Sequence, residues 1–300
     1  MLQTFDERNR DLLVNVNGEL FHRDQARISP FDSLAQGGDG VWEGLRLYDG
    51  RIFKLDEHLA RLRHSALALA FTQIPTRDEL LEQIRMTLEA NGMRDGVHLR
   101  LTLSRGEKLT SGMDPRLNSM GPTLIVLAEW KAPVYDKRGL TLMTSSVRRP
   151  GPDVLDPKIH HNNLLPSILA KLEANAAGAD DAIVLDQAGC VAETNATHLF
   201  AVSNGGLLTP RCVGCPEGIT RATVLELCAA HDIPCEVRDL SLAEFYRADE
   251  VFCTGTMGEL AAVTCIDGRP IGSDHSGPMT RRLSQLYALR TASEGVVVVP

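Results

Sequence analysis

The feature that most constrains the fold of this 300-residue chain is a lysine-bearing turn between a strand pattern and a helix pattern. Residues 140–147 have the composition of a strand, and residues 163–177 have helical spacing. Between them, Lys158 follows Pro157 in a turn. Pro166 suits the first turn of the helix, where its missing N–H is not needed. Strand, turn and helix in succession predict a mixed α/β fold.

Strand and helix patterns alternate along the rest of the chain. Asn17-Gly18 predicts a tight hairpin turn, and Thr76 with Glu79 predicts a capping box. Residues 37–48 are glycine-rich and then strand-like; they do not open a helix, so they are not a dinucleotide fingerprint. The other predicted elements are a hairpin over 11–23, strands over 97–104, 123–128, 182–186, 190–193, 199–202, 207–209 and 250–254, and helices over 56–70, 76–91, 218–231 and 277–290.

A polar, turn-rich stretch begins at Trp130 and marks a domain boundary. We therefore predict a small N-terminal α/β domain over residues 1–129, a linker over 130–137 and a larger domain over 138–300. The apolar residues 296–299 have no predicted function.

Composition excludes several partners. The net charge of −8 comes without a basic cluster, which argues against nucleic acid. The N-terminus lacks the apolar core of a secretory signal and no run approaches a membrane span, so no membrane partner and a cytoplasmic location are expected. Seven cysteines predict free thiols.

No metal site is predicted from the sequence. Cys212 and Cys215 have zinc-knuckle spacing but no second half, and are interpreted as two separate thiols. His160 and His161 lack acidic or cysteine partners at helical spacing, so a loop or pocket-edge role is favoured.

Two residues indicate cofactor chemistry. Lys158 offers an amine, and Glu193 offers a carboxylate at the end of an apolar strand. A lysine that bonds to an aldehyde and an acid that keeps a pyridine nitrogen protonated are the minimum equipment for pyridoxal phosphate chemistry. Neither residue alone is specific, since most lysines and acids are solvated surface charges.

The order of short motifs along the chain is more specific than Lys158 or Glu193 alone. The relevant segments are residues 38–44 (Gly-Asp-Gly-Val-Trp-Glu-Gly), 57–62 (Glu-His-Leu-Ala-Arg-Leu), Lys158 with Asn162, 189–194 (Gly-Cys-Val-Ala-Glu-Thr), 218–221 (Gly-Ile-Thr-Arg), 248–252 (Ala-Asp-Glu-Val-Phe) and 255–256 (Gly-Thr). With these segments in this order, the chain resembles the class IV aminotransferases, the fold-type IV pyridoxal phosphate enzymes. The resemblance implies a pseudo-barrel second domain, a pyridoxal 5'-phosphate cofactor and a homodimer with pocket residues from both subunits.

The resemblance also implies roles for individual residues. Lys158 looks like the Schiff-base lysine, with an amine kept neutral by desolvation and the nearby cationic ring, and Glu193 like the partner of the pyridine nitrogen. Phosphate would be held by Arg61, by Ile219 and Thr220 at a helix start, and by Thr256. For Arg61 a surface arginine, and for Thr220 simple N-capping, are the alternatives.

Substrate residues are less determined. Arg46, Arg100 and Arg105 are candidates for the substrate carboxylate, although each alone is more often a structural ion-pair partner. Trp42 is a candidate pocket wall, equally compatible with a core position, and Met257 stands where a small residue is common. The chain further departs from the family pattern at three other positions, namely Gly37, Asn163 and Pro216.

These features predict a ping-pong transaminase, with L-branched-chain amino acids and 2-oxoglutarate as first choice of substrates. The run Glu43-Gly44-Leu45-Arg46 and the absence of an arginine-x-histidine carboxylate trap favour this choice. Gly37, Asn163 and the sequence His98-Leu99-Arg100 instead of Tyr-x-Arg favour a D-amino acid or (R)-amine transaminase. An aminodeoxychorismate lyase and a non-enzymatic pyridoxal-binding module are further alternatives.

Overall fold

The structure is a computed structural model that describes residues 3–133, 135, 139–272 and 276–300. The chain forms two compact units. The first contains Gln3–Ala132, Ile159–Asn163 and Thr291–Pro300, and the second contains Pro133–Lys158 and Leu164–Arg290.

The described strands of the first unit form one antiparallel sheet flanked by helices. Its strands are β1 Leu13–Val16, β2 Glu19–His22, β3 Gly40–Tyr48, β4 Arg51–Ile52, β5 Val97–Ser104, β6 Thr123–Trp130 and β16 Val296–Val297, in the order β16-β4-β3-β5-β6-β1-β2. Its helices are α1 Ser33–Gly37, α2 Leu55–Ala68 and α3 Arg77–Ala90. Alternate residues of β3 and β5 pack beneath α2 and α3, which gives an apolar core.

Local sequence signals explain several of these elements. Asn17 and Gly18 have φ angles of 54° and 87°, as a primed hairpin turn requires, so the hairpin prediction is confirmed. Thr76 and Glu79 form the predicted reciprocal capping box of α3. The short helix α1, capped by Asp32, was not predicted.

The apolar tail has a structural role. Strand β16 pairs with β4, and Val298 and Val299 are buried in the core. Gly50 allows this approach: its φ is +77°, and a Cβ there would lie 2.3 Å from the carbonyl oxygen of Val299. The tail is thus part of the first unit.

The second unit is built on a mixed sheet. Its described strands are β7 Leu140–Arg148, β8 Asp181–Leu185, β9 Val191–Thr194, β10 His198–Ser203, β11 Gly206–Thr209, β12 Cys235–Val237, β13 Glu250–Gly255, β14 Glu259–Ile266 and β15 Arg269–Pro270. Their order is β12-β11-β10-β13-β14-β7-β8-β9, with β15 beside β14. Its helices are α4 Leu165–Ala176, α5 Ile219–Ala230, α6 Leu242–Tyr246 and α7 Pro278–Ser293.

Most predicted elements of the second unit are present. Strands β14 and β15 were not predicted, although β14 joins β13 to β7 in the middle of the sheet. The units also depart from the single predicted boundary, since Ile159–Asn163 and Thr291–Pro300 lie in the first unit rather than in a continuous 138–300 domain. Residues 134, 136 and 137 of the predicted linker lie outside the described residues.

Among the described residues, every helix is too short or too polar to cross a lipid bilayer.

Candidate functional site

Lys158 lies in an exposed turn of the second unit. The backbone N–H of Lys158 donates to Oδ1 of Asp156 at 2.9 Å, which closes the turn before α4. Its side chain is 53% exposed, and Nζ lies 3.5 Å from Oε1 of Glu217. In this structure the amine is accessible and faces a carboxylate; its desolvation beside the cofactor stays a prediction.

The start of α5 opens onto the same cavity as Lys158. Gly218 is the N-cap and supplies no side-chain acceptor, so the first amides of α5 are available to a ligand. The cavity measures about 460 Å³ and is lined by Lys158, Gly218, Ile219, Arg221, Cys212 and neighbouring side chains. The structure therefore places the lysine amine and a helix N-terminus on one concave surface.

Thr220 and Thr256 occupy different environments. Thr220 is buried in the first turn of α5, and Thr256 is half-buried directly after β13. Two residues before Thr256, the hydroxyl of Thr254 is buried and has no hydrogen-bond partner among the described residues. Met257 follows as a half-buried turn residue.

Glu193 is paired with an arginine that the sequence reading missed. Nε of Arg149 lies 3.0 Å from Oε1 of Glu193, and both side chains are under a tenth exposed. Arg149 also donates to Oγ of Ser167 and to the carbonyl of Thr194. The Glu193 carboxylate is therefore buried against a cation and does not face water as a surface acid at a strand end would. The tandem Arg148-Arg149 at the end of β7 was the available sequence signal.

Cys212 and Cys215 are not isolated thiols. The donor atoms of His198, Cys212 and Cys215 all lie within 4.8 Å of one another. The neighbouring Cys215 thiol, with His198 and Arg221 close by, lowers the pKa of Cys212. The neighbouring Cys212, together with burial and the charge of Glu193, raises the pKa of Cys215. The prediction of two separate thiols is therefore wrong, since the fold supplies a histidine partner from β10.

In the first unit, Glu43 is a buried charge with several partners. Nε and Nη2 of Arg61 donate to its two oxygens at 2.7 Å each. Nδ1 of His58 lies 2.7 Å away and Nδ1 of His160 lies 3.2 Å away. Burial alone would raise the pKa of Glu43, but the neighbouring His160 and Arg61 outweigh it and hold the pKa well below its usual range. Burial lowers the pKa of His160, so Arg61 is the permanent cation of this cluster.

The contacts of Arg61 with Glu43 concern its predicted role, which is to hold the phosphate of the cofactor. Two of its nitrogens form a bidentate pair with Glu43, and its side chain is 17% exposed. The phosphate contact of Arg61 stays a prediction.

The three candidate arginines for substrate carboxylate differ in their surroundings. Arg105 is tied to Asp39 by two hydrogen bonds of 2.6 and 3.0 Å, which is the structural ion pair left open as an alternative. Arg46 is buried, donates from Nη1 to the carbonyl of Lys131 at 3.3 Å, and its Nε has no hydrogen-bond partner among the described residues. Arg100 donates to Oδ1 of Asn162 at 2.9 Å.

Arg46 and Arg100 lie on one face of the β3–β5 pair. Arg46 pairs in register with His98, and Gly44 pairs with Arg100. Burial, together with Lys131, Arg46 and Arg100, lowers the pKa of His98 to about 3, so His98 is neutral at physiological pH. The face thus carries two buried or half-buried cations around a neutral imidazole.

Trp42 lies at the edge of this face. The guanidinium of Arg100 is 4.0 Å from the centre of its ring, and the ring of His160 is stacked on it at 4.3 Å. Its indole N–H donates to the carbonyl of His161 at 3.1 Å. Trp42 therefore fixes both Arg100 and residues 159–163 in the first unit.

The structure also shows the surroundings of the residues that depart from the family pattern. The side chain of Asn163 donates to the carbonyl of Gly38 at 3.1 Å, and a Cβ on Gly37, the last residue of α1, would have no atom within 4 Å. The carbonyl of Pro216 accepts from Nε2 of His198 at 2.8 Å.

Comparison with known proteins identifies the family. The family model for amino-transferase class IV matches residues 40–266. The chain belongs to the class IV aminotransferases. The pieces on which the resemblance was based, including the turn with Lys158 and the start of α5, all lie in or beside this region.

Similar proteins include enzymes and enzyme-like proteins. Branched-chain-amino-acid aminotransferase-like protein 2 of Arabidopsis thaliana is 55% identical over 97% of this chain, which spans only 52% of that relative. A putative branched-chain-amino-acid aminotransferase of Methanocaldococcus jannaschii is 38% identical, covering 91% of this chain and 94% of its own. The T.th. branched-chain amino acid aminotransferase, complexed with N-(5'-phosphopyridoxyl)-L-glutamate, is 33% identical, with a TM-score of 0.87 and 94% of each chain covered.

The chain thus spans about half the length of the first two curated relatives that it matches.

Proposed function

We propose that this chain is a pyridoxal-phosphate-dependent transaminase that moves the amino group of L-branched-chain amino acids to a 2-oxo acid such as 2-oxoglutarate. The observation that carries the proposal is the cavity of the second unit, where the accessible amine of Lys158 and the uncapped start of α5 line one space. Family membership and the names of the similar proteins support the same reaction.

The donor set of the second unit fits pyridoxal phosphate. The cofactor needs an amine for its aldehyde, a carboxylate for its ring nitrogen and donors for its phosphate. Lys158 supplies the amine and Glu193 the carboxylate, while the amides of Ile219 and Thr220 supply phosphate donors. The unpartnered hydroxyl of Thr254, close to Thr256 in the chain, is consistent with a further polar ligand at this position.

When bound, pyridoxal phosphate supplies an electron sink for the carbon from which the amino group leaves. The side chains of the protein hold the cofactor and move the proton. Lys158 would hold the cofactor through Nζ, and its free amine would move the proton that transamination relocates. Arg149 positions the Glu193 carboxylate, which would hold a proton on the ring nitrogen of the cofactor. Asp156 fixes the turn from which Lys158 acts.

Substrate carboxylates are assigned to the cationic face of the first unit. Arg46 and Arg100 are unpaired with any acid in the described part of the chain, whereas Arg105 is neutralised by Asp39. Cations with donors to spare are what a dicarboxylate such as 2-oxoglutarate requires. An arginine that already holds an aspartate contributes little to such binding, so Arg46 and Arg100 are the assigned pair.

A D-amino acid or (R)-amine specificity is the second candidate. The observation in its favour is the neutral, mostly buried His98 beside Arg100, at the position where a Tyr-x-Arg motif would place a tyrosine. The half-reaction experiment below distinguishes the two candidates.

We further propose a homodimer in the cytoplasm. Helix α4 exposes four apolar side chains at helical spacing, namely Leu165, Ile168, Leu169 and Leu172, each at least half exposed. A stripe of this size is typical of a surface that another protein covers, and the proposed occupant is a second copy of the chain. The seven free cysteines support a reducing compartment.

Borohydride reduction tests the cofactor assignment. The protein loaded with pyridoxal phosphate is reduced and digested, and the pyridoxyl label is expected on the peptide that carries Lys158. Lys158→Arg is expected to lose the label and the visible absorbance of the bound cofactor. Lys108→Arg, in an exposed loop, is the matched control and keeps both. A label at another lysine would disprove the assignment.

Half-reactions test the substrate. Absorbance is followed after addition of L-leucine, D-alanine, D-glutamate or (R)-1-phenylethylamine, without an acceptor. L-Leucine is expected to bleach the band of the lysine-bound cofactor and a 2-oxo acid to restore it. If only the D-amino acids or the (R)-amine bleach it, the second candidate is correct; release of pyruvate without an amino acceptor would indicate a lyase.

A further inference from the structure

A cluster of soft ligands lies beside the proposed cofactor cavity and has no part in the proposed reaction. Cys212 and Cys215 come from the loop between β11 and α5, and His198 begins β10. Their donor atoms lie within 4.8 Å of one another, and Cys212 also lines the cavity. We propose that Cys212, Cys215 and His198 form a binding site for Zn²⁺.

The distances suit a tetrahedral ion. With Zn–S bonds of about 2.3 Å and Zn–N bonds of about 2.0–2.1 Å, ligand atoms around zinc lie roughly 3.5–3.8 Å apart. That arrangement is reached from the observed upper limit of 4.8 Å by a contraction of about 1 Å. Rotation of the Cys212 side chain supplies such a movement, and two residues between cysteines is the spacing that zinc knuckles use.

The histidine is already oriented as a ligand. Nε2 of His198 lies 2.8 Å from the carbonyl oxygen of Pro216, an acceptor only, so Nε2 carries the proton and donates. Nδ1 is then left with a lone pair. A metal-binding histidine typically donates its other N–H to a carbonyl in this way, which fixes both the tautomer and the ring.

The backbone around the ring is shaped to hold it. A Cβ on Gly218 would lie 2.5 Å from both Cε1 and Nδ1 of His198. The ring therefore packs directly on the backbone that begins α5. Cys215 is likewise fixed, because its thiol points to the carbonyl of Ala192 at 3.8 Å. Two of the three ligands thus have little freedom, which reduces the entropic cost of binding an ion.

The donor set selects the metal. Two thiolates and an imidazole suit Zn²⁺, whereas Mg²⁺ and Ca²⁺ prefer oxygen ligands. Within the described residues the cluster has three protein ligands, so the fourth position falls to water or another small ligand. The ion would clamp the loop 211–216 against β10, and so hold in place the segment that leads to the start of α5.

Metal analysis tests the site. The full chain, loaded with pyridoxal phosphate and without a histidine tag, is purified under reducing conditions and given one equivalent of Zn²⁺. Elemental analysis after gel filtration is expected to show one zinc per chain, and Co²⁺ is expected to give the absorption of a tetrahedral, thiolate-bound ion. Cys212→Ser is expected to weaken Zn²⁺ binding by more than the ~10–100-fold that an outer-shell change costs.

A second pair of interacting thiols provides the control. Cys228 and Cys235 also influence each other's pKa, but they are not part of a cluster of three ligands among the described residues. Cys228→Ser is expected to bind Zn²⁺ as the parent does. Equal loss of zinc in Cys228→Ser, or undiminished binding in Cys212→Ser, would overturn the proposal.

A measurement on the unmodified chain avoids dependence on how the variants fold. One equivalent of Zn²⁺ is expected to slow alkylation of Cys212 and Cys215 in peptide maps and to leave Cys190 and Cys265 unchanged. The site is disproved if alkylation is unaffected, or if the reduced protein retains no zinc and instead forms a Cys212–Cys215 disulfide when reductant is removed.

Discussion

Replacing Glu43 by glutamine should strongly destabilise the first unit. The carboxylate is fully buried and accepts two hydrogen bonds of 2.7 Å from Arg61, with His58 and His160 beside it. Glutamine has nearly the same shape, but it removes the charge and turns one acceptor into a donor that faces the donors of Arg61. The substitution therefore removes the anion that holds two nitrogens of a mostly buried guanidinium.

The magnitude follows from burial. Breaking a buried ion pair by removing one partner costs about 3–5 kcal/mol. The side chain of Arg61 is 17% exposed, so water relieves part of the cost and we expect the lower end, about 3 kcal/mol. For a unit of this size, that corresponds to a fall in melting temperature of roughly 6–12 °C.

Thermal unfolding followed by circular dichroism measures the effect. Glu57→Gln is the matched control, because Glu57 is 51% exposed and its pair with Lys54 at 3.0 Å is a surface pair worth about 0–1 kcal/mol. The double variant Glu43→Gln/Arg61→Gln should recover part of the loss. The reasoning is refuted if Glu43→Gln melts within a degree of the Glu57→Gln control.

Three further outcomes are expected. The pKa of Glu43 is lower in the folded than in the unfolded state, so its ionised carboxylate contributes fully to the free energy of unfolding above its unfolded pKa of about 4.3. This contribution is lost as pH falls toward the folded-state pKa. In urea titrations, the difference in the free energy of unfolding between the parent and Glu43→Gln should therefore narrow below about pH 4. Gly218→Ala brings a Cβ within 2.5 Å of His198, and an overpacking cost of about 1–3 kcal/mol should weaken retention of pyridoxal phosphate roughly 5–150-fold in fluorescence titrations; Gly37→Ala, with no atom within 4 Å of its new Cβ, should not. Leu169→Glu should convert a dimer to a monomer in light scattering, whereas Leu67→Glu on α2 should leave it intact.

Local signals in the sequence predicted local structure well. The Asn17-Gly18 turn, the capping box of Thr76 and Glu79, and Pro166 in the first turn of α4 each depend on a few adjacent residues. Strand β14 escaped prediction because alanines and a glutamate have low strand propensity, and the strand exists through its pairing with β13 and β7.

In the candidate site, too, local motifs were predicted from the sequence and tertiary contacts were not. Lys158 and the start of α5 were named from short motifs, and the structure places both on one cavity. The pairing of Arg149 with Glu193, and of His198 with Cys212 and Cys215, joins residues 14 or more positions apart through the sheet. Such contacts depend on tertiary packing, which residue spacing does not encode. The exposure of Lys158 could not be read from its neighbours in sequence for the same reason.

The burial of Val298 and Val299 beneath Gly50 sets an order of events during synthesis. The first 132 residues emerge from the ribosome early, yet the edge of their sheet lacks its last strand until residues 296–299 are made. Strand β4 therefore presents an open edge while the second unit is being translated, and an open edge can pair with other chains. Shortening the chain by its last five residues should expose that edge permanently and favour aggregation of newly made protein.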